Sequence, residues 1–170
     1  MATLNCKEVV HLILDSAQEY ADENSTCAKV KVGSLIVPEQ PSDKPYDIFG
    51  YVVHGCNHGC HNCRVNGCRR IELYGNASKE HRLPSDCDAV HSEVDAIGRA
   101  AKMGLKTEGA TIFVTRYPCE ACARAIVAAG ISKVYYGRKE DISDYTATIL
   151  ESGNVKVIKV DDWEREDNNE

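Results

Sequence analysis

Two short stretches of the sequence bring together the residue types that hydrolytic metal chemistry needs: His91-Ser92-Glu93, and Pro118-Cys119-Glu120-Ala121-Cys122. Cys119 and Cys122 are three apart, so on a helix they share one face. A helix N-terminus favours negative charge, and sulfurs placed there ionise readily and bind metal. One imidazole and two thiolates are three ligands of a tetrahedral zinc; the fourth position stays open for water, which marks a catalytic site rather than a closed structural one. Zinc lowers the pKa of such a water toward neutrality and supplies hydroxide at ordinary pH. Glu93, two residues after the histidine, is expected to reach that water without being a ligand and to move its proton to the substrate. The bland alternative is a helix-start histidine and two cysteines of a structural half-site. It requires both motifs to fall on helix starts by coincidence.

The surrounding pattern supplies those helix starts. Residues 91–102 read as a helix stopped by Gly104, and residues 119–129 as an alanine-rich helix ended by Gly130. Pro118 suits a helix start, where its missing N–H is no loss. Asn5 with Glu8 reads as a capping box opening a first helix over about 7–22, with Val9, Val10, Ile13, Ala17 and Tyr20 at helical spacing. Residues 30–37 and 46–53 read as the strands of a hairpin around a Pro-bearing loop. Residues 111–115, 134–136 and 155–160 read as further strands and 145–152 as a helix. Helix, strand, strand, then helix and strand alternating three times implies α/β layers around a mixed sheet. Residues 54–89 lack periodicity, and a loop of that length is normally functional or held by something other than a core.

A chain of 170 residues suits one compact domain, here with a cysteine-rich insertion at about 54–89 and a short acidic C-terminal tail. Its net charge of −6 argues against binding nucleic acid by charge alone, while a small anionic ligand stays compatible with local Arg, Lys or helix ends. No apolar run reads as a signal peptide or membrane span, so a cytoplasmic location is expected. Nine cysteines in such a chain point to metal rather than to disulfides.

The His-x-Glu and Pro-Cys-x-x-Cys pair is the signature of zinc nucleobase deaminases. With VHSEVDAIGRAA, GATIFVTRYPCEACARAIVAAGISKVYYGRK and the upstream STCAKVKVGSLIV, the chain resembles the cytidine and deoxycytidylate deaminase family. The resemblance implies a three-layer fold, a five-stranded mixed sheet with helices on both faces. It also implies hydrolysis of dCMP to dUMP and ammonia, supplying dUMP for thymidylate synthesis. A histidine rather than a third cysteine is more like the deoxycytidylate, tRNA and polynucleotide deaminases than many free-nucleoside enzymes. Val32 and Gly33 are expected to line the pocket. Asn57, in Gly55-Cys56-Asn57-His58-Gly59, stands where family members have an asparagine on the sugar, with Cys56 and His58 departing from the family's Tyr and Gly. Without the resemblance, such an asparagine is a turn residue.

The resemblance further implies a second, structural zinc, with Cys27 and His81 at positions that family members use. Cys56, Cys60, Cys63, Cys68 and Cys87 are also available, and the favoured set is Cys27, Cys63, Cys68 and Cys87 with His81 as substitute. Such a closed site would hold residues 54–89 in place. The competing reading is buried free cysteines, the one chosen for Cys6. Donors for a phosphate are Arg69, Arg70, Arg82, Arg138 and Lys139, with Arg116 beside the cysteine motif, each competing with a solvated-surface reading. Tyr117 is set against the base or the core, and Tyr136 in the core. Also implied are a homo-oligomer, commonly a hexamer, and dCTP and dTTP as effectors, with Mg2+ accompanying the triphosphates.

Rival readings are a tRNA adenosine deaminase, which should carry a broad basic surface that this chain lacks beyond Arg69-Arg70; a deaminase of cytidine, dCTP or a modified dCMP; and a non-enzymatic, zinc-stabilised binding module, whose mark would have been loss of Glu93.

Overall fold

The computed structural model describes residues 6–39, 52–75, 86–138 and 144–163. Helix α1 (Cys6–Asn24) leads to β1 (Gly33–Val37) and β2 (Val53–Cys56); two short helices, α2 (Cys63–Asn66) and α3 (Arg69–Tyr74), precede α4 (Ser92–Lys102). Then β3 (Thr111–Arg116), α5 (Glu120–Ala128), β4 (Lys133–Arg138), α6 (Asp144–Ser152) and β5 (Lys156–Lys159) alternate. The five strands form one sheet in the order β2-β1-β3-β4-β5. β1 is antiparallel to β2 and β3, and β3, β4 and β5 are mutually parallel, so the sheet is mixed as expected.

Side chains alternate across the sheet with the period of two that strands impose. Leu35 and Phe113 face α1 and join Leu14, Ala17, Val160 and Trp163 in one cluster. Ile36, Ile112 and Val114 face the other way, onto Ala96 and Ala100 of α4, Ala123 and Ile126 of α5, and Leu150 of α6. The two clusters put helices on both faces. Two glycines set the spacing. A Cβ at Gly33 would run into the carbonyl of Ala17, and one at Gly55 into the Ser92 carbonyl and the Ala96 backbone, so α1 and α4 lie against bare backbone. Gly104 and Gly130 end their helices at φ of +68° and +70°, a region that favours glycine.

β2 opens at Val53 and runs on to Cys56, and residues 46–51 of the expected 46–53 strand lie outside the described residues. Residues 54–89 contain the end of β2 and also α2 and α3. Neither short helix buries a side chain, so neither leaves an apolar period in the sequence. Cys6, read as a core residue, is exposed at the first position of α1. Among the described residues no helix is long and apolar enough to cross a membrane.

Candidate active site

His91 is the N-cap of α4 and Cys119 the N-cap of α5, and neither side chain caps its own helix. N-caps are ordinarily Ser, Thr, Asp or Asn, whose oxygens turn back to the first-turn N–H groups. An imidazole and a thiol in those places forgo that bond and project beyond the helix ends. Because α4 and α5 pack on the same sheet face through alanines, the two ends meet. His91 Nδ1 lies 3.4 Å from Cys119 Sγ and 3.4 Å from Cys122 Sγ. Zinc–nitrogen and zinc–sulfur bonds at the tetrahedral angle separate such atoms by about 3.5 Å, so the donor set and its spacing fit zinc. Among the described residues this is the one group of metal-ligating side chains whose donor atoms all lie within 4.8 Å of one another.

The sulfurs divide the charge. A hydrogen bond from the Cys122 thiol, opposed by burial and aided by His91, holds Cys119 down at about 3. The same hydrogen bond, burial and the nearby Glu93 carboxyl push Cys122 up. His91 is raised, chiefly by its hydrogen bond with Cys119. Glu93, in the first turn of α4, is 4% exposed, and burial pushes its carboxyl up. A carboxyl so placed holds a proton more readily than one in water, which suits a group that must carry one.

Two residues to which the sequence reading gave no role complete this corner. Ser34 Oγ donates to Ser92 Oγ at 2.6 Å, and Ser92 Oγ donates to Glu93 Oε2 at 3.1 Å, with all three residues buried. This chain of hydroxyls orients the carboxylate. A serine two residues from Val32 on a strand, facing the same way as Val32, was the available signal.

The expected substrate residues divide by side of the sheet. Val32 packs with the α4–α5 cluster. Gly33 instead serves the approach of α1, and its N–H donates to Thr115 Oγ1 at 3.0 Å. Asn57 Nδ2 donates to the Val30 carbonyl (2.7 Å) and its Oδ1 accepts from Val32 N–H (2.8 Å) and Ser25 Oγ (2.9 Å). It clamps the segment ahead of β1, leaving one amide hydrogen for anything else. Tyr117 is half-buried with its ring edge-on to Tyr136, 4.7 Å between centroids, and Tyr136 is buried in keeping with its core assignment. Arg116 is buried at the end of β3, and Arg138 stacks over Trp163 at 5.6 Å. Arg82, Lys139 and His81 lie outside the described residues.

His58, at a position where the resemblance implies glycine, has its own partner: Nε2 is 3.1 Å from Asp95 Oδ1, while Asp95 also accepts from Arg99 Nε (2.9 Å) and the Cys56 N–H (3.1 Å). This hub ties the β2 end to the outer face of α4.

Of the cysteines chosen for a second site, three line one cavity. Cys63 is pushed up to about 11 by burial and then by Cys68, with which it hydrogen-bonds, and by Cys27 and Cys87. Cys63, Cys68 and Cys87 line a cavity of about 320 Å³ with His61, Arg69, Asp86 and Asp88. Their sulfurs are more widely spaced than the donors of the first set. Cys60 is exposed and Cys56 is buried against α4, away from this group.

Known proteins resemble this chain. A family model for MafB19-like deaminases matches residues 53–168, which contain both halves of the site. The ComE operon protein 2 of Bacillus subtilis is 34% identical over 137 residues, 81% of this chain and 64% of that protein. The deoxycytidylate deaminase of Mycobacterium phage D29 is 30% identical over 119 residues, 70% of this chain and 87% of that protein. The chain spans less than two thirds of the length of the first curated relatives it matches. The crystal structure of a cyanophage S-TIM5 dCMP deaminase in complex with dCMP and dUMP has the same fold, with a TM-score of 0.63 at 24% identity, covering 92% of this chain and 99% of that one. By the reach of the family model and of the phage D29 match, this chain belongs to the deaminase family that includes the cytidine and deoxycytidylate deaminases.

Proposed function

We propose that the chain is a zinc-dependent deaminase of a cytosine nucleotide, with dCMP as substrate, dUMP and ammonia as products and Glu93 as the proton carrier. The observation that carries this is the meeting of His91, Cys119 and Cys122 at two helix ends beside a buried carboxyl. His91, Cys119 and Cys122 would hold the zinc, whose Lewis acidity would make water nucleophilic at neutral pH. Glu93 takes a proton from the attacking water and gives it to the ring nitrogen next to C4. It then takes the remaining hydroxyl proton and delivers it to the amine, so the C–N bond breaks and ammonia leaves. Ser92 keeps the carboxylate aimed through both transfers. The relatives named deoxycytidylate deaminase support the choice of a cytosine nucleotide.

We further propose that Cys27, Cys63, Cys68 and Cys87 hold a second, structural zinc. A set of four cysteines suits a closed tetrahedral site, and the convergence around Cys63 supports it. Metal analysis of the pure protein reads this directly: two zinc per chain supports it and one refutes it.

The deciding assay incubates the zinc-loaded protein with dCMP, dCTP, CMP, deoxycytidine and cytidine, with Glu93→Ala as control. Turnover of dCMP, abolished in the variant, is expected. Silence on all five with zinc bound overturns the reading.

A further inference from the structure

We infer that Asp95 is a positioning residue for the candidate site: its carboxylate fixes the rotation of α4, and with it the aim of His91 and Glu93; this rests on the zinc-dependent deaminase reading above. α4 meets the sheet through Ala96 and Ala100, both fully buried. Methyl contacts set how close a helix comes, but they are not directional and leave it able to turn or slide. The N-terminus of α4 is not fastened in the usual way either, because the His91 side chain does not cap it. A misplacement of about 1 Å at a reacting centre costs about 10²-fold in rate, so something else has to hold the first turn in register.

The residues that end and follow β2 hold it from both sides of His91. Val90, just before the histidine, exchanges backbone hydrogen bonds with His58 in both directions, at 2.8 and 3.2 Å. Asp95, one turn after it, donates its N–H to the His91 carbonyl at 2.9 Å. The Asp95 side chain is only 10% exposed. Its carboxylate accepts from the Cys56 N–H and stands 3.1 Å from His58 Nε2, so both anchors of His91 end on the same short stretch, 56–58. Gly55 makes this possible, since its bare backbone lets the first turn of α4 come within reach. Arg99, one turn further along α4, bonds the same carboxylate and lies over the Tyr20 ring of α1 at 5.6 Å. Asp95 thus joins α4 to β2 directly and to α1 through Arg99. A carboxylate in the first turn is favoured by the field of its own helix, and Arg99 balances its charge. Asp95 acts through the turn it holds, not on the reacting atoms.

Wild type, Asp95→Ala, Asp95→Asn, His58→Ala and the double variant are compared well below the lowest melting temperature. Zinc affinity is read by competition with a chelator, the component missing from a Cys119→Ser, Cys122→Ser control being that of the candidate site. Removing partners that orient metal ligands costs about 10- to 100-fold in metal affinity or activity. Asp95→Ala should therefore weaken that zinc by about 10- to 100-fold and lower kcat for dCMP by about 10-fold, with KM within about twofold of wild type. Asp95→Asn keeps an acceptor for the Cys56 N–H and should fall between the two. The double variant should lose less than the sum of its parts, because both residues act through one contact. A merely structural role moves the melting temperature alone. Wild-type zinc affinity and kcat in the Asp95 variants, or a loss carried by KM alone, overturn the inference. Should Asp95→Ala not fold, Asp95→Asn and His58→Ala decide it by the same readings. Should zinc-loaded wild type convert no cytosine substrate, the deaminase reading fails, and the zinc affinities still decide the role of Asp95. Wild type that binds no zinc at Cys119 and Cys122 overturns both.

Discussion

His91, Cys119 and Cys122 hang from α4 and α5, helices of 11 and 9 residues whose alanine faces are buried in the main core. Cys63 and Cys68 stand instead at the start of a four-residue helix and at the cap of a six-residue one, neither of which buries a side chain. Helices that short are not stable by themselves. The first set is brought together by apolar burial that exists whether or not a ligand is present. The second is tied by polar links such as Arg64 to Ser25, Tyr74 to Asp86 and His61 to Asp88, and a metal bound there would contribute folding energy. Chemistry is thus built on preformed elements, while the cysteine-rich segment has to be assembled.

The largest expected effect separates chemistry from fold at the first set. Glu93→Gln should lower kcat by about 10²- to 10⁴-fold while melting temperature and zinc content stay those of wild type; a variant that loses its fold as well breaks the claim of a preformed site. Next is Cys63→Ser. It should remove one zinc and open the chain to protease between residues 60 and 75. A loss of about 3 kcal/mol would lower the melting temperature by about 6–12 °C. Retained zinc at Cys119 and Cys122 is part of the expectation, and simultaneous loss of both metals would make the two regions one cooperative unit.

Ser92→Ala tests the finer positioning at the first set. Removing one hydrogen bond of about 1 kcal/mol should lower kcat about fivefold with KM unchanged, and Ser34→Ala, one step further from the carboxylate, should do less. A change in KM alone would place Ser92 in substrate binding instead.

The smallest effect is one of pH on the scaffold behind α4. His54, between Ser16 (3.0 Å) and the Tyr20 ring (5.0 Å), is lowered by burial and by Arg99. The unfolded chain takes a proton at its ordinary value of about 6.5 and the folded chain only at lower pH. Stability is therefore full above that value and falls as pH drops through the window beneath it. Melting temperatures from neutral to mildly acid pH should fall more steeply for wild type than for His54→Gln; identical slopes would remove His54 from the account.

The same contrast governs what could be read from the sequence. From His91 to Gly130 the elements are apolar, periodic and closed by glycines, and the ligand spacing falls on their first turns, so both fold and site were legible there. α2 and α3 were invisible because a helix that buries nothing leaves no period. Of the strand placed at 46–53 only its end can be compared: Val53 opens β2, which runs on to Cys56. At Gly33, expected at the pocket, the missing Cβ faces α1, and the alternation of β1 puts Ser34 on the site side. Strand alternation from Val32 was the one signal for Ser34, and Ser92 carried none; their joint meaning exists only once α4 lies against β1.

β3 runs antiparallel to β1 and parallel to β4, so strand direction reverses beside β3, whose last residue, Arg116, precedes Cys119 by only three positions. At such a reversal the connections part and leave a crevice at the strand ends. The candidate ligands belong to helices packed on the sheet, while the walls of such a crevice belong to loops. Each doubling of a loop adds only about 0.6 kcal/mol of closure entropy. A lineage built this way can exchange one substrate for another by rewriting the connection between β2 and α4, keeping its reaction while its selectivity drifts.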